Sequence, residues 1–397
     1  MNNDKACSLF IVHCSMFNCH FWDPNPTLSQ KERVELQPMK DRTYKEAGVD
    51  SAQQDRIMHN LSYWVEQTFR FRPNTVKLPL GYFANVIDLG NGSGIAVSTD
   101  GVGTKILIAQ MMNKYDTVGI DCVAMNVNDV LAVGATPVAL LDYIAVEVPH
   151  DDLMAQLVRG LYKGAELGNV TIPGGEIAQV REMIRGVREG YAFDLVGTAI
   201  GTIDLSRILT GRDTKEGDII VGLRSTGVHS NGLTLARRVF FRDHHWSVDK
   251  CLSELGRTIG EELLEPTGIY VKEVVSMLEA NLNIKALAHI TSTGFLNMSR
   301  AASDVSYVID SLPEPHSIFR LIQNYGGISD EEMFFTYNMG IGFCVIVAPE
   351  HADSVRRIAH DHGVESHFIG HVAGDGKKEV RVPQYRLLGS DGKFRKI

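Results

Sequence analysis

From about residue 43 the chain alternates short apolar runs with longer segments whose apolar residues recur at helical spacing. The short runs predict strands at 95–98, 138–146, 170–172, 194–203, 218–223, 284–290 and 341–348. The periodic segments predict helices at 103–112, 119–133, 151–167, 231–241, 268–279 and 350–362. Val123, Val127, Val130 and Leu131 line one face of the second helix, and Leu153, Leu157 and Leu161 line one face of the third. A polar stretch, Thr210-Gly211-Arg212-Asp213-Thr214-Lys215-Glu216-Gly217, interrupts the alternation, which then resumes. The pattern predicts an α/β or α+β chain, with an extension at 1–38, one domain at 39–203 and a second at 204–397.

Composition changes this picture little. The chain has 397 residues, more than one ordinary core accommodates, with 44% hydrophobic and 22% charged residues. A net charge of -9 and the lack of a long basic run argue against nucleic acid as the main partner. No run of about 18 apolar residues predicts a membrane span. Six cysteines are too few for a disulfide framework, so a soluble, cytoplasmic protein is expected. Cys7, Cys14 and Cys19 lie beside His13 and His20, but their spacing matches no zinc finger, and 1–38 is read as a disordered extension.

Four segments carry chemistry. The first is Ser98-Thr99-Asp100-Gly101-Val102-Gly103-Thr104-Lys105, between a predicted strand and a predicted helix. Gly101 and Gly103 let the backbone turn and approach a ligand, and amides at a helix start favour anions. Lys105 adds a charge suited to phosphate, and Asp100 suits a magnesium ion between carboxylate and phosphate. Neither a Walker A loop nor a dinucleotide fingerprint is present. The second segment holds Asn128 and Asp129 on a helix, and the third is Pro173-Gly174-Gly175-Glu176, read as a turn after a strand. Asp100, Asp129 and Glu176 together would offer three oxygen ligands to magnesium. The fourth is Thr226-Gly227-Val228-His229-Ser230-Asn231-Gly232, where His229 could bind phosphate or move a proton, and Ser230 or Asn231 could cap a helix.

Taken in order, these segments resemble the phosphoribosylformylglycinamidine cyclo-ligase family. The matching pieces begin with Y-K-E-A-G-V-D at 44–50, S-T-D-G-V-G-T-K at 98–105, D-T-V-G-I-D at 116–121 and N-D at 128–129. They continue with L-D-Y at 141–143, G-G-E at 174–176, G-V-H-S-N-G at 227–232, E-P-T-G-I-Y-V-K at 265–272, A-H-I-T at 288–291 and N-M-G-I-G at 338–342. The resemblance implies an N-terminal ATP-binding domain whose strands pair with those of a second subunit into a dimer barrel, and a C-terminal α/β sandwich-like domain. It implies ATP and Mg2+ as cofactors, a phosphoribosyl small-molecule substrate and a homodimer. It also implies ATP-driven ring closure of formylglycinamidine ribonucleotide.

By carry-over, Asp100, Lys105 and His229 are the catalytic candidates. Gly101, Gly103, Thr104, Lys105, Asn128, Ser230 and Asn231 are the nucleotide-binding candidates, and Asp100, Asp129 and Glu176 the metal ligands. Three stretches depart from the family pattern. The glycine-rich loop G-G-x-G-G-F-G is replaced by L-P-L-G-Y-F-A-N-V at 78–86. G-G-E-T-A-E-M-P becomes G-G-E-I-A-Q-V-R at 174–181, and T-G-G-G becomes T-S-T-G at 291–294. The competing readings are a thiamine monophosphate kinase-like phosphotransferase and a non-catalytic nucleotide-binding dimer.

Overall fold

The computed structural model describes residues 61–397. The motif at 44–50 and the Cys/His group at 7–20 lie outside the described residues.

The N-terminal sheet contains β1 (Asn85–Asp88), β2 (Ser93–Gly101), β3 (Thr136–Val146), β4 (Thr171–Gln179) and β5 (Phe193–Asp204), in the order β1-β2-β5-β3-β4. All neighbours are antiparallel except β3 and β4. That parallel pair needs a crossover, which α3 (Asp151–Gly168) supplies. Leu153, Leu157, Leu161 and Ala165 turn its apolar stripe inward, and Asn169 ends it in the left-handed conformation. Between β2 and β3 run α1 (Lys105–Met112) and α2 (Asp116–Ala132).

Helices α2 and α3 touch backbone to backbone. A Cβ on Gly119 would lie 2.4 Å from the Leu161 amide nitrogen, and one on Gly160 would lie 2.1 Å from the Asp116 carbonyl oxygen. Only glycine permits that approach. It buries α2 almost entirely, between α3 and the sheet, and so fixes the position of its last turns.

Two expectations are corrected. The N-terminal strands do not close into a barrel: the five-stranded sheet is open, with β1 and β4 at its edges. β1 is only four residues long and β4 is bulged, so neither edge offers a long matched partner for closure. Pro173-Gly174-Gly175-Glu176 is not a turn but part of β4. An edge strand tolerates proline at a bulge, where its missing N–H interrupts no ladder.

The C-terminal sheet has eight strands. They are β6 (Ile219–Arg224), β9 (Ile284–His289), β10 (Ser306–Ile309), β11 (Ile341–Val347), β12 (Ser366–Ala373), β13 (Val380–Val382), β14 (Leu387–Ser390) and β15 (Lys393–Lys396). Their order is β15-β14-β13-β10-β12-β6-β11-β9, and β7 (Cys251–Leu252) with β8 (Arg257–Thr258) forms a separate hairpin. All seven residues of β11 are buried, as expected of an internal strand covered on both faces. The helix expected at 231–241 is Leu233–Arg237 continued by a π-helical turn, Arg238–Asp243. Among the described residues no helix is long and apolar enough to cross a membrane.

Candidate functional site

Strand β2 delivers Asp100 at its end, and Gly103, at φ 71, turns the chain into α1. The Asp100 Oδ1 accepts the Gly101 N–H at 2.8 Å. Asn126, buried on α2, donates its Nδ2 to the Asp100 carbonyl at 3.1 Å and to the Cys122 carbonyl at 2.8 Å. The turn after β2 is therefore pinned to α2, three residues before Asp129.

Asp129 faces β9. Its Oδ1 accepts from His289 Nδ1 at 2.8 Å, with the imidazole fully buried. The adjacent Asn128 donates to the Gly268 carbonyl at 2.8 Å and accepts the Tyr270 N–H at 3.1 Å. Its Nδ2 also lies 3.4 Å from His289 Nε2. Asn128 thus joins the end of α2 to the segment after Glu265-Pro266-Thr267.

Burial raises the Asp100 carboxyl above the ordinary carboxylate range, and the charge of Asp129 raises it further. The Gly101 N–H and His289 pull it back. Two carboxylates repel each other at the mouth of a strand–helix turn, and their oxygens suit a hard divalent cation.

Glu176 stands elsewhere. Across the sheet Asp100 pairs with Gly197, Gly197 with Asp142 and Asp142 with Gly175. Directly paired residues share a face, and a Cβ on Gly175 would lie 2.6 Å from Asp142 Oδ1. Glu176, one residue on, belongs to the opposite face, with its partner Tyr143. Within one chain Asp100 and Asp129 are brought together and Glu176 is not. Among the described residues no group of three or more His, Cys, Asp or Glu is arranged to hold a metal ion.

Lys105 is also placed differently from a phosphate ligand. Its side chain is fully buried and its Nζ lies 2.9 Å from Asp121 Oδ1, with Asp121 equally buried. The same ammonium donates to the Glu265 carbonyl. Asp121 Oδ1 further accepts Thr267 N at 2.7 Å, Thr267 Oγ1 at 2.6 Å and Ser230 Oγ at 3.2 Å. Thr104 reaches across to Thr234, Oγ1 to Oγ1 at 2.9 Å. One buried ion pair thus ties α1 and α2 to the 226–232 and 265–268 segments.

His229 adopts φ 64 and is buried. Its Nε2 accepts the N–H groups of Thr226 at 3.2 Å and Gly268 at 3.3 Å, which places the proton on Nδ1. Burial holds its pKa well below the ordinary value, and the charges of His289, Lys105 and His316 add to that. A neutral ring with Nε2 engaged twice orders the loop. Ser230 turns inward to Asp121, while Asn231 is half-buried beside it.

Asp121, Thr267 and His289 were not singled out by sequence reasoning as functional. Asp121, Thr267 and His289 sit inside the matching pieces G-I-D, E-P-T-G and A-H-I-T, so the signal lay in motifs already noticed.

A family described as "AIR synthase related protein, N-terminal domain" matches residues 81–203, and its C-terminal counterpart matches residues 215–383. The phosphoribosylformylglycinamidine cyclo-ligase of Methanococcus maripaludis strain C6 is 45% identical over 351 residues, covering 86% of this chain and 97% of that protein. The protein of the same name from Methanocaldococcus jannaschii is 46% identical over 332 residues, covering 83% and 92%. Among solved structures, thiamine-monophosphate kinase from Stenotrophomonas maltophilia K279a superposes with a TM-score of 0.55 at 18% identity, covering 80% of this chain and 93% of that one. That likeness concerns the fold alone.

Proposed function

The chain belongs to the phosphoribosylformylglycinamidine cyclo-ligase family, and from that premise we propose that it closes the imidazole ring of aminoimidazole ribonucleotide from formylglycinamidine ribonucleotide, converting ATP to ADP and phosphate. The observation that carries this reading is the near-full-length identity to relatives of that name, 45% over 351 residues. In the reaction the formyl amide oxygen attacks the γ-phosphorus of ATP and ADP leaves. A nitrogen of the same molecule then attacks the activated carbon, phosphate departs with the former amide oxygen, and the nitrogen loses its proton. The amide oxygen is a poor leaving group until it carries phosphate, and the remaining demand is near-attack geometry.

The residues of this chain would divide that work. Gly101, Gly103 and Thr104 form the turn that would lie against phosphate, held by Asn126. Asp100 and Asp129 fit Mg2+, which would neutralise the phosphate charge. His289 orients Asp129, and Asn128 fixes the end of α2. His229, Ser230 and Asn231 order the loop opposite, and Lys105 holds that loop through Asp121. We assign 39–203 as the ATP-binding half and 204–397 as the second domain. Two copies are expected to associate through the open sheet face, where Leu141 and Tyr143 are 39% and 43% exposed. Work in the cytoplasm fits a pathway of soluble phosphorylated intermediates.

The test is direct. Purified protein with ATP, Mg2+ and formylglycinamidine ribonucleotide should release ADP and form the aminoimidazole product. Turnover only with a different acceptor, or nucleotide binding without any turnover, would defeat the assignment.

A further inference from the structure

With Lys105 paired to Asp121, the 98–105 segment offers no free cation to phosphate. Another cation lies close by. Arg300 ends the short 3-10 segment Gly294–Arg300, which follows β9 and its His289–Asp129 contact. Its guanidinium carbon is 4.7 Å from the ring centroid of Phe83. Phe83 belongs to 78–86, the stretch that stands where the family carries its glycine-rich loop. The Phe83 carbonyl accepts from Ser98 Oγ at 3.4 Å, two residues before Asp100 on the same face of β2.

Arg300 is half-buried, and the charge of Asp129 acts on it. Among the described residues its guanidinium makes no hydrogen bond and no ion pair, although it carries five N–H donors. Stacking on a ring uses the flat face of a guanidinium and leaves the in-plane donors free. A partly desolvated cation with a free donor fork, within reach of the Asp129 charge, matches a phosphoryl group.

We propose that Arg300, shelved on Phe83, binds a phosphate group in the active site and supplies the cation that Lys105 does not. This rests on the ATP-dependent cyclo-ligase reading. The phosphate belongs either to the ATP chain or to the phosphoribosyl substrate, and the chemistry recognised is the same.

Steady-state kinetics of Arg300→Met, Arg300→Lys and Phe83→Leu test the proposal. Arg300→Met should raise one KM by about 10- to 100-fold, the range of a lost charge-assisted contact, with the thermal midpoint near wild type. A rise in the KM for ATP assigns the triphosphate, and a rise in the KM for formylglycinamidine ribonucleotide assigns the substrate phosphate. Arg300→Lys should recover part of the loss, since it keeps the charge without the fork. Phe83→Leu should move the same KM in the same direction by less. Both KM values unchanged in Arg300→Met would overturn the proposal, whether or not kcat falls. If the wild-type protein makes no aminoimidazole product, the functional reading fails on its own. Equilibrium binding of ATP and of formylglycinamidine ribonucleotide to wild type and Arg300→Met then still decides the role of Arg300.

Discussion

Asp121→Asn removes the counter-charge of a lysine that has nowhere else to put its proton. Lys105 and Asp121 are both fully buried, and without the carboxylate the ammonium keeps only neutral oxygen acceptors, the Glu265 carbonyl and the amide oxygen of the replacement. Stranding one member of a buried ion pair costs about 3–5 kcal/mol. Lys105→Met is the gentler half, because Asp121 would still accept Thr267 N, Thr267 Oγ1 and Ser230 Oγ. Three surviving donors keep much of that carboxylate's stabilisation, so a cost of about 2 kcal/mol is expected. In the double variant no uncompensated charge remains. It should therefore be more stable than Asp121→Asn alone, with a coupling of about 3 kcal/mol between the sites. Urea unfolding of the four proteins measures all three quantities. Equal single-mutant losses with additive behaviour in the double would refute the reasoning, and so would Lys105→Met being the worse of the two singles. If Lys105 instead served phosphate directly, its loss would weaken ATP binding while leaving stability near wild type.

Three further outcomes follow from the same geometry. Asp100→Asn should reduce turnover by at least about 100-fold with the melting temperature unchanged, if the carboxylate holds the proposed Mg2+; turnover near wild type would remove it from the metal set. Glu273 is buried with Oε1 unpartnered, and burial pushes its carboxyl up to about 7 from an ordinary 4.5, so ionising it opposes folding. No penalty exists below pH 4.5; it grows as pH rises towards 7 and is constant above, at no more than about 3 kcal/mol. Glu273→Gln should accordingly gain stability over wild type between pH 4.5 and 8, and a pH-independent difference in urea midpoints would contradict this. Tyr143→Asp, on the open sheet face, should shift sedimentation towards a single chain without unfolding it; an unchanged sedimentation coefficient would place the self-association elsewhere.

Much of the architecture was legible because apolar periodicity reports burial directly. The segment 151–167 forms α3 over Asp151–Gly168, and the apolar run 341–348 forms β11 over Ile341–Val347. Glycine was the less reliable sign. The Gly174-Gly175 pair reads as a turn, but those residues lie in an edge strand. Gly175 is small there because Asp142 occupies the neighbouring space, which depends on pairing between β3 and β4 and leaves no local trace. The closure of strands into a barrel could not be read from strand content, because closure depends on edge lengths and register.

Charge in a motif proved harder to interpret than hydrophobicity. A lysine two residues after a glycine turn reads as a phosphate ligand, since sequence shows the charge and not its neighbour. Asp121 lies 16 positions away and meets Lys105 only because α2 folds back along α1. The same ambiguity runs through Asp129, whose carboxylate could have been a free ligand or half of a pair and is in part both: one oxygen accepts from His289, and its charge still reaches Asp100 and Arg300. Two carboxylates, the His289 imidazole that donates to one of them, and the Arg300 guanidinium would, on the proposed reading, serve both a divalent cation and a phosphate. Removing either charge sign from it should be felt by the other. For that reason the Arg300 and Asp100 variants are best measured in the same ATP-binding titration, with and without Mg2+.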